Sequence, residues 1–238
     1  MSDDEAPQPT IAAAVGTELG HATLTATATL RTNLSIHHFL GAVRFSRQVA
    51  QIEDSNRGKP FGDFFEEILW FGSACVLSSV AGLEAYANEL FVDRADHFPD
   101  LRTEIADKLW ELFEQKPLLE KFDMALLLKQ KPLLQRGESP TQDVAALIAL
   151  RNGLTHFKPE WDNQQTSHAR IGQQLANRFA PSAFLPQTEG VFPRRWASHG
   201  CTRWAVQSSV SFVRDFEVQA GVAPKIVKFT DRLDEGTA

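Results

Sequence analysis

The longest uninterrupted helical pattern in the chain runs from Phe64 to about Asp93, and it sets most of what the fold can be. Val76, Val80, Leu83, Ala87 and Leu90 recur at spacings of four, three, four and three, forming one apolar stripe. Leu77, Ala81, Glu84 and Asn88 form a second stripe on the neighbouring face, with Glu84 and Asn88 as its polar exceptions. Two adjacent stripes call for cover on more than one side, so the pattern predicts a body of several helices packed around this one. Its most apolar stretch, Ile68 to Leu83, is 16 residues long and holds three serines. That is short for a membrane span and reads as a buried helix.

The rest of the chain is predominantly helical in pattern. Asn33 to Glu53 carries Ile36, Phe39, Leu40, Val43 and Val49 near helical spacing, and the stretch SNRGKPFG breaks it. Two further helices flank Pro117, and Ser139-Pro140-Thr141 with Asp143 suits the start of another, running to about Thr155. A short polar helix is expected over Asp162 to about Arg178, and a final one from Cys201 to about Gln219. The Pro-rich, aromatic stretch between them reads as a loop packed on the surface. Ahead of all this, HATLTATATLRT alternates in the manner of an edge strand or arm, and PKIVKFTDRL near the end suggests a short strand. The expected architecture is an all-α bundle with a long helix hairpin at its core, a short N-terminal extended arm and a C-terminal helical extension. The expected divisions are a flexible tail over 1–20, a strand and helix over 21–60, a helical core over 61–160 and a loop-rich extension over 161–238 that packs on the same domain.

A chain of 238 residues can bury a sizeable core as one large domain. Its formal net charge of −6 argues against a generally cationic nucleic-acid binder. The charge is unevenly placed, however. Between Arg151 and Arg214 there are eight Lys and Arg against three acids, which points to an anionic partner on one side or to a solvated surface with Arg stems covering apolar area. Two cysteines far apart, Cys75 and Cys201, suggest neither a disulfide framework nor a zinc site. The acidic N-terminus lacks the pattern of a signal peptide, so a cytoplasmic protein with no membrane partner is expected.

The chemistry-bearing stretch is ALIALRNGLTHFKPEWD, residues Ala146 to Asp162, where an apolar helix ends in Arg151, Asn152 and, five residues after the arginine, His156. The same spacing recurs at Arg194 and His199, in a Pro- and Gly-rich loop, so spacing alone carries little weight. Context separates the two, because only Arg151 ends an apolar helix and is followed directly by a polar residue.

That stretch, together with the upstream LSSVAGLEAYANELF, resembles the HEPN superfamily of helical domains over roughly residues 64–160. The resemblance implies a homodimeric bundle in which the motif helices of two chains form a cleft for RNA. It implies a metal-independent endoribonuclease without a cofactor, with Arg151 and His156 catalytic and Asn152, Glu84, Asn88 and Lys158 supporting catalysis or binding RNA. A toxin or antiphage effector with a cognate antitoxin partner is one such role. A non-catalytic helical dimer that binds RNA, a nucleotide or a protein partner is the alternative. The residue types suit the chemistry: histidine moves protons near neutral pH, and arginine matches phosphate oxygens with a fixed fork of donors. A Glu84–Arg151 pair would either tie two helices together or hold the arginine for catalysis.

Helical geometry raises a difficulty for this pair. At about 100° per residue, His156 lies about 140° from Arg151 on a regular helix. Either the helix loosens after Gly153, or the arginine of one chain meets the histidine of another across a twofold axis.

Overall fold

The computed structural model describes residues 10–17, 20–27, 32–161, 164 and 166–233. They fall into two units, divided after Asn33.

The first unit is a two-stranded antiparallel hairpin. β1 (Thr10–Thr17) pairs with β2 (Gly20–Thr27), with Thr10 opposite Thr27 and Thr17 opposite Gly20. The second strand answers the expected arm. The first corrects the flexible tail placed over 1–20: TIAAAVGT is small and β-branched enough to pair along its whole length. The part of that tail over residues 1–9 lies outside the described residues.

The second unit is all-α. It begins with α1 (Ser35–Ser55) and α2 (Phe64–Val92), which form the expected helix hairpin. The turn between them includes Gly58 at φ +78°, a left-handed conformation that glycine adopts without strain. Gly82 lets the two helices approach, since a Cβ there would stand 2.5 Å from the Phe39 ring. α3 (Arg94–His97), α4 (Thr103–Phe113) and α5 (Leu118–Leu128) follow, then α6 (Thr141–Thr155), α7 (Thr166–Leu175), α8 (His199–Ala220) and α9 (Thr230–Leu233).

The hairpin crosses the division expected at residue 60, and α8 removes the one expected at 160. α8 packs against α1, α2, α5 and α6, and it buries Trp204, Val206, Val210, Phe212, Val213 and Phe216. It is a central helix of the core, so the segment after 160 packs on the same body as residues 61–160. The segment between α7 and α8 also goes inward, with Leu185, Phe192, Trp196 and Ala197 buried. Trp196 donates its indole N–H to the Pro193 carbonyl at 2.8 Å, which satisfies its polar atom inside the core. The C-terminal strand is absent too. Residues Ile226–Phe229 form a 3₁₀ turn that leads into α9, because buried Ile226 and Leu233 share one helical face.

The first stripe of α2 is buried along its length, as its spacing predicts. The second is covered only in part: Leu77 is 42% exposed and Trp70, on the same helix, is 63% exposed, whereas Ala81 and Glu84 are half-buried. The additional cover falls instead on the side of Cys75, Ser79, Gly82 and Tyr86. Among the described residues α2 is the one helix long and apolar enough to cross a membrane, and nearly half of its most apolar window is buried within the protein.

Buried charges lock the ends of these helices together. Glu89 accepts from the backbone N–H of Ser35 at 2.9 Å, its hydroxyl at 2.7 Å and the Lys225 ammonium at 2.5 Å. Burial works to raise the Glu89 pKa, and the hydrogen bonds from Lys225 and Ser35 overcome it and hold the carboxyl below its ordinary value. Glu217 on α8, 4% exposed, accepts from the Tyr86 hydroxyl at 3.1 Å and from the backbone N–H groups of Lys225 and Ile226 at 2.8 and 3.3 Å. Burial, together with the Glu217 charge, raises the Tyr86 phenol far above its usual range.

Candidate functional site

α6 presents its residues on two faces. Val144, Leu147 and Leu150 are buried in the core. Ala149, Asn152, Gly153 and His156 recur at spacings of three, one and three, so they lie along one face, and that face lines a groove against α7. Arg151 falls outside this set and reaches α2 instead. Its Nη2 donates to Glu84 Oε1 at 2.6 Å, and its Nε is buried without a partner among the described residues.

The two residues are therefore separated in the folded chain, Arg151 toward α2 and His156 in the groove. The helix does not loosen after Gly153: α6 runs to Thr155, and the His156 N–H donates to the Asn152 carbonyl at 2.9 Å. Arg151 and His156 are therefore not brought together within one chain.

α7 supplies the opposite wall with Ser167, His168, Arg170, Ile171 and Gln174, and Phe192 closes the floor. Gly153 brings the two walls together, since a Cβ there would stand 2.7 Å from Ile171 Cδ1 and 3.2 Å from Phe192 Cζ. Asp143 near the start of α6 and Arg178 just beyond α7 form an ion pair that ties the two helices at one end. The groove encloses about 400 Å³. Lys158 completes the lining, and among the described residues no carboxylate takes part in it.

The acid nearest in sequence, Glu160, is bonded to two of the lining residues. Its carboxylate accepts from the Ser167 hydroxyl and from the backbone N–H groups of Ser167 and His168, at 3.2 and 3.3 Å. It thus occupies the first turn of α7, where unpaired N–H groups favour an anion. The Ser167 hydroxyl leads in lowering its pKa, and the backbone bonds add to that against a smaller effect of burial. His168 is 4% exposed and sits between Phe157, stacked at 5.3 Å, and the edge of Phe192 at 5.1 Å. Its Nε2 is 2.9 Å from the Lys158 carbonyl, and its Nδ1 is 3.9 Å from Glu160 Oε2. His168 therefore fixes the backbone that carries Lys158 and, two residues before it, His156.

Six residues were expected at one site, and the structure divides them. Asn152, His156 and Lys158 meet in the groove. Glu84 and Arg151 meet on the side of α2. Asn88 joins neither set directly: it accepts from the Lys121 ammonium at 3.1 Å. Burial pushes that ammonium below its usual pKa, against the pull of Glu84 and Glu114. Glu84 and Asn88 are thus the α2 partners of two cations, one from α6 and one from α5.

Ser167, His168, Arg170 and Gln174 are the residues that sequence reasoning missed. The signals available were the basic balance of the window that contains Arg170 and the spacing of Ser167, Arg170, Ile171 and Gln174 on one helical face. The second Arg–His spacing is incidental: Arg194 donates to both carboxylate oxygens of Glu189 at 2.8 Å, and the His199 backbone N–H donates to Glu53 at the start of α8. Among the described residues no three His, Cys, Asp or Glu side chains cluster in a way that could hold a metal ion. No known protein family, curated protein or solved structure matches the chain.

Proposed function

We propose that this protein is an endoribonuclease of the HEPN type that binds RNA in the groove between α6 and α7 and cleaves it without a metal or cofactor. The observation that carries this reading is the groove's lining. It joins His156 to Asn152, Lys158, His168 and Arg170, and among the described residues no carboxylate lines it to repel a phosphodiester. In the reaction His156 takes the proton from a ribose 2′-hydroxyl as the 2′-oxygen bonds to the adjacent phosphorus. The bond from phosphorus to the 5′-oxygen breaks, and the leaving oxygen gains a proton. The products are a 2′,3′-cyclic phosphate and a 5′-hydroxyl end. Lys158 and Arg170 would hold the phosphate charge as it grows. Such a substrate fits a cytoplasmic setting.

Arg151 enters through a second chain. With Arg151 on the α2 side and His156 in the groove, a complete site is a composite of two protomers, and Trp70 and Leu77 give α2 an exposed apolar stretch for a dimer contact to cover. Subunit mixing tests this. Arg151→Ala and His156→Ala are each expected to abolish cleavage, while a mixture that has exchanged subunits should regain about a quarter of wild-type activity, from the one intact site in each heterodimer. Failure of the mixture to cleave would remove the composite site.

A second reading is favoured by the same separation of Arg151 from His156: a helical protein that binds RNA, a nucleotide or a partner and does not cut. RNA retention by the wild type with no cyclic-phosphate product would decide for it.

A further inference from the structure

We propose that the groove between α6 and α7 holds one unpaired nucleotide, the one whose 2′-hydroxyl attacks, and that the amides of Asn152 and Gln174 read its base. This rests on the endoribonuclease reading for the reaction, though the recognition it describes stands on the groove alone. The volume of about 400 Å³ suits a single small ligand. The surface divides by chemistry in the way a nucleotide does. Ile171 and buried Phe192 give an apolar floor on which a flat base can lie. Lys158 and Arg170 are exposed cations suited to the phosphate.

Between floor and cations stand the two carboxamides. Asn152 comes from α6 and Gln174 from α7, and both side chains are exposed. Each offers one acceptor and two donors and carries no charge. Groups of that kind discriminate by the order of donors and acceptors along a base edge, whereas cations bind every nucleotide alike. Asn152 and His156 lie one helical turn apart on the same face, about 6 Å along the axis. A base held by Asn152 would therefore leave its own ribose and 3′-phosphate directed along α6 toward the imidazole. Asn152 is then a specificity residue, and Gln174 is its partner across the groove.

The probes are the four nucleoside 3′-monophosphates, titrated into the full chain and followed by amide chemical shifts. Wild type is expected to bind the best of the four at least about tenfold more tightly than the worst, the scale of one good amide–base contact. Asn152→Ala and Gln174→Ala should each compress that range to within about threefold, while Lys158→Ala and Arg170→Ala should weaken all four alike. All these side chains are exposed, and an unchanged far-ultraviolet spectrum checks that each variant is folded. Equal binding of the four nucleotides by wild type, or an unaltered range in both amide variants, would overturn the assignment. Base discrimination without RNA cleavage would leave the assignment standing and remove the endoribonuclease reading. Cleavage with no base discrimination would do the reverse.

Discussion

The groove between α6 and α7 and the buried cluster around Glu89 and Glu217 are built from the same kinds of side chain, arranged to opposite ends. In the cluster every charge is answered. Ser35, Lys225 and Tyr86 converge on two carboxylates, and those contacts join α1, α2, α8 and the chain after α8. In the groove the cations have no acid among the described lining residues, and Glu160 is taken up by the first turn of α7. A folded chain gains little from unanswered cations at its surface. The contrast locates polar groups that hold the fold and polar groups left for something outside it.

Substitutions can break or sharpen this contrast, and the largest effect is expected in the cluster. Glu217→Ala would strand the Tyr86 hydroxyl and the N–H groups of Lys225 and Ile226 in a buried site, at a cost of about 3 kcal/mol in urea denaturation. Nucleotide binding by the folded fraction should not move. Two glycines extend the comparison. Gly82→Ala drives a Cβ into the fully buried Phe39 ring and is expected to lower stability by about 1–3 kcal/mol. At Gly153→Ala the closest atom is the end of the half-buried Ile171 side chain, which can yield into the groove. Stability should stay within about 1 kcal/mol, since alanine favours the helix, while nucleotide affinity falls. Stability loss at Gly153 without any loss of affinity would erase the distinction between the two regions.

Acid should weaken the cluster through Glu89. The Glu89 carboxyl is held below its ordinary value, so its contribution is complete above about pH 4.5 and fades as the pH falls through the folded-state value. Glu89→Gln should therefore be less stable than wild type near neutrality, by about 1–2 kcal/mol, with the difference closing below about pH 4 in pH-resolved denaturation. The smallest effect belongs to the pair that bridges α2 and α6. Glu84 is 42% exposed at its side chain, so a double-mutant cycle on Glu84 and Arg151 should give less than about 1 kcal/mol. A larger coupling would mean that this pair is part of the structural lock.

Much of this was legible in the sequence where a single helix carries the information. The buried stripe of α2, the bounds of α6, the contact between Glu84 and Arg151 and the angle from Arg151 to His156 all follow from helical period and from polar residues out of place on an apolar helix. Where tertiary packing decides, the sequence is mute. Nothing local marks Phe192 and Trp196 as core residues within a Pro-rich stretch, or turns IVKF from a strand into a helical turn beneath Glu217. His168 has no local signal either, because its surroundings come from two other segments: Phe157 and Glu160 after α6, and Phe192 before α8. Half of the groove was hidden for the same reason: a wall made by α7 exists only once α6 is beside it.

The unbroken end of α6 works as a register setting. Removing one residue between Arg151 and His156 would turn the imidazole back by about 100° and bring it within about 40° of the arginine. Adding one would carry it further round by the same step. Insertions and deletions at this single helical turn, events that a surface loop would absorb silently, would here reassign the histidine from one side of the molecule to another. The length of that turn, as much as the identity of its residues, decides which partners the imidazole can meet.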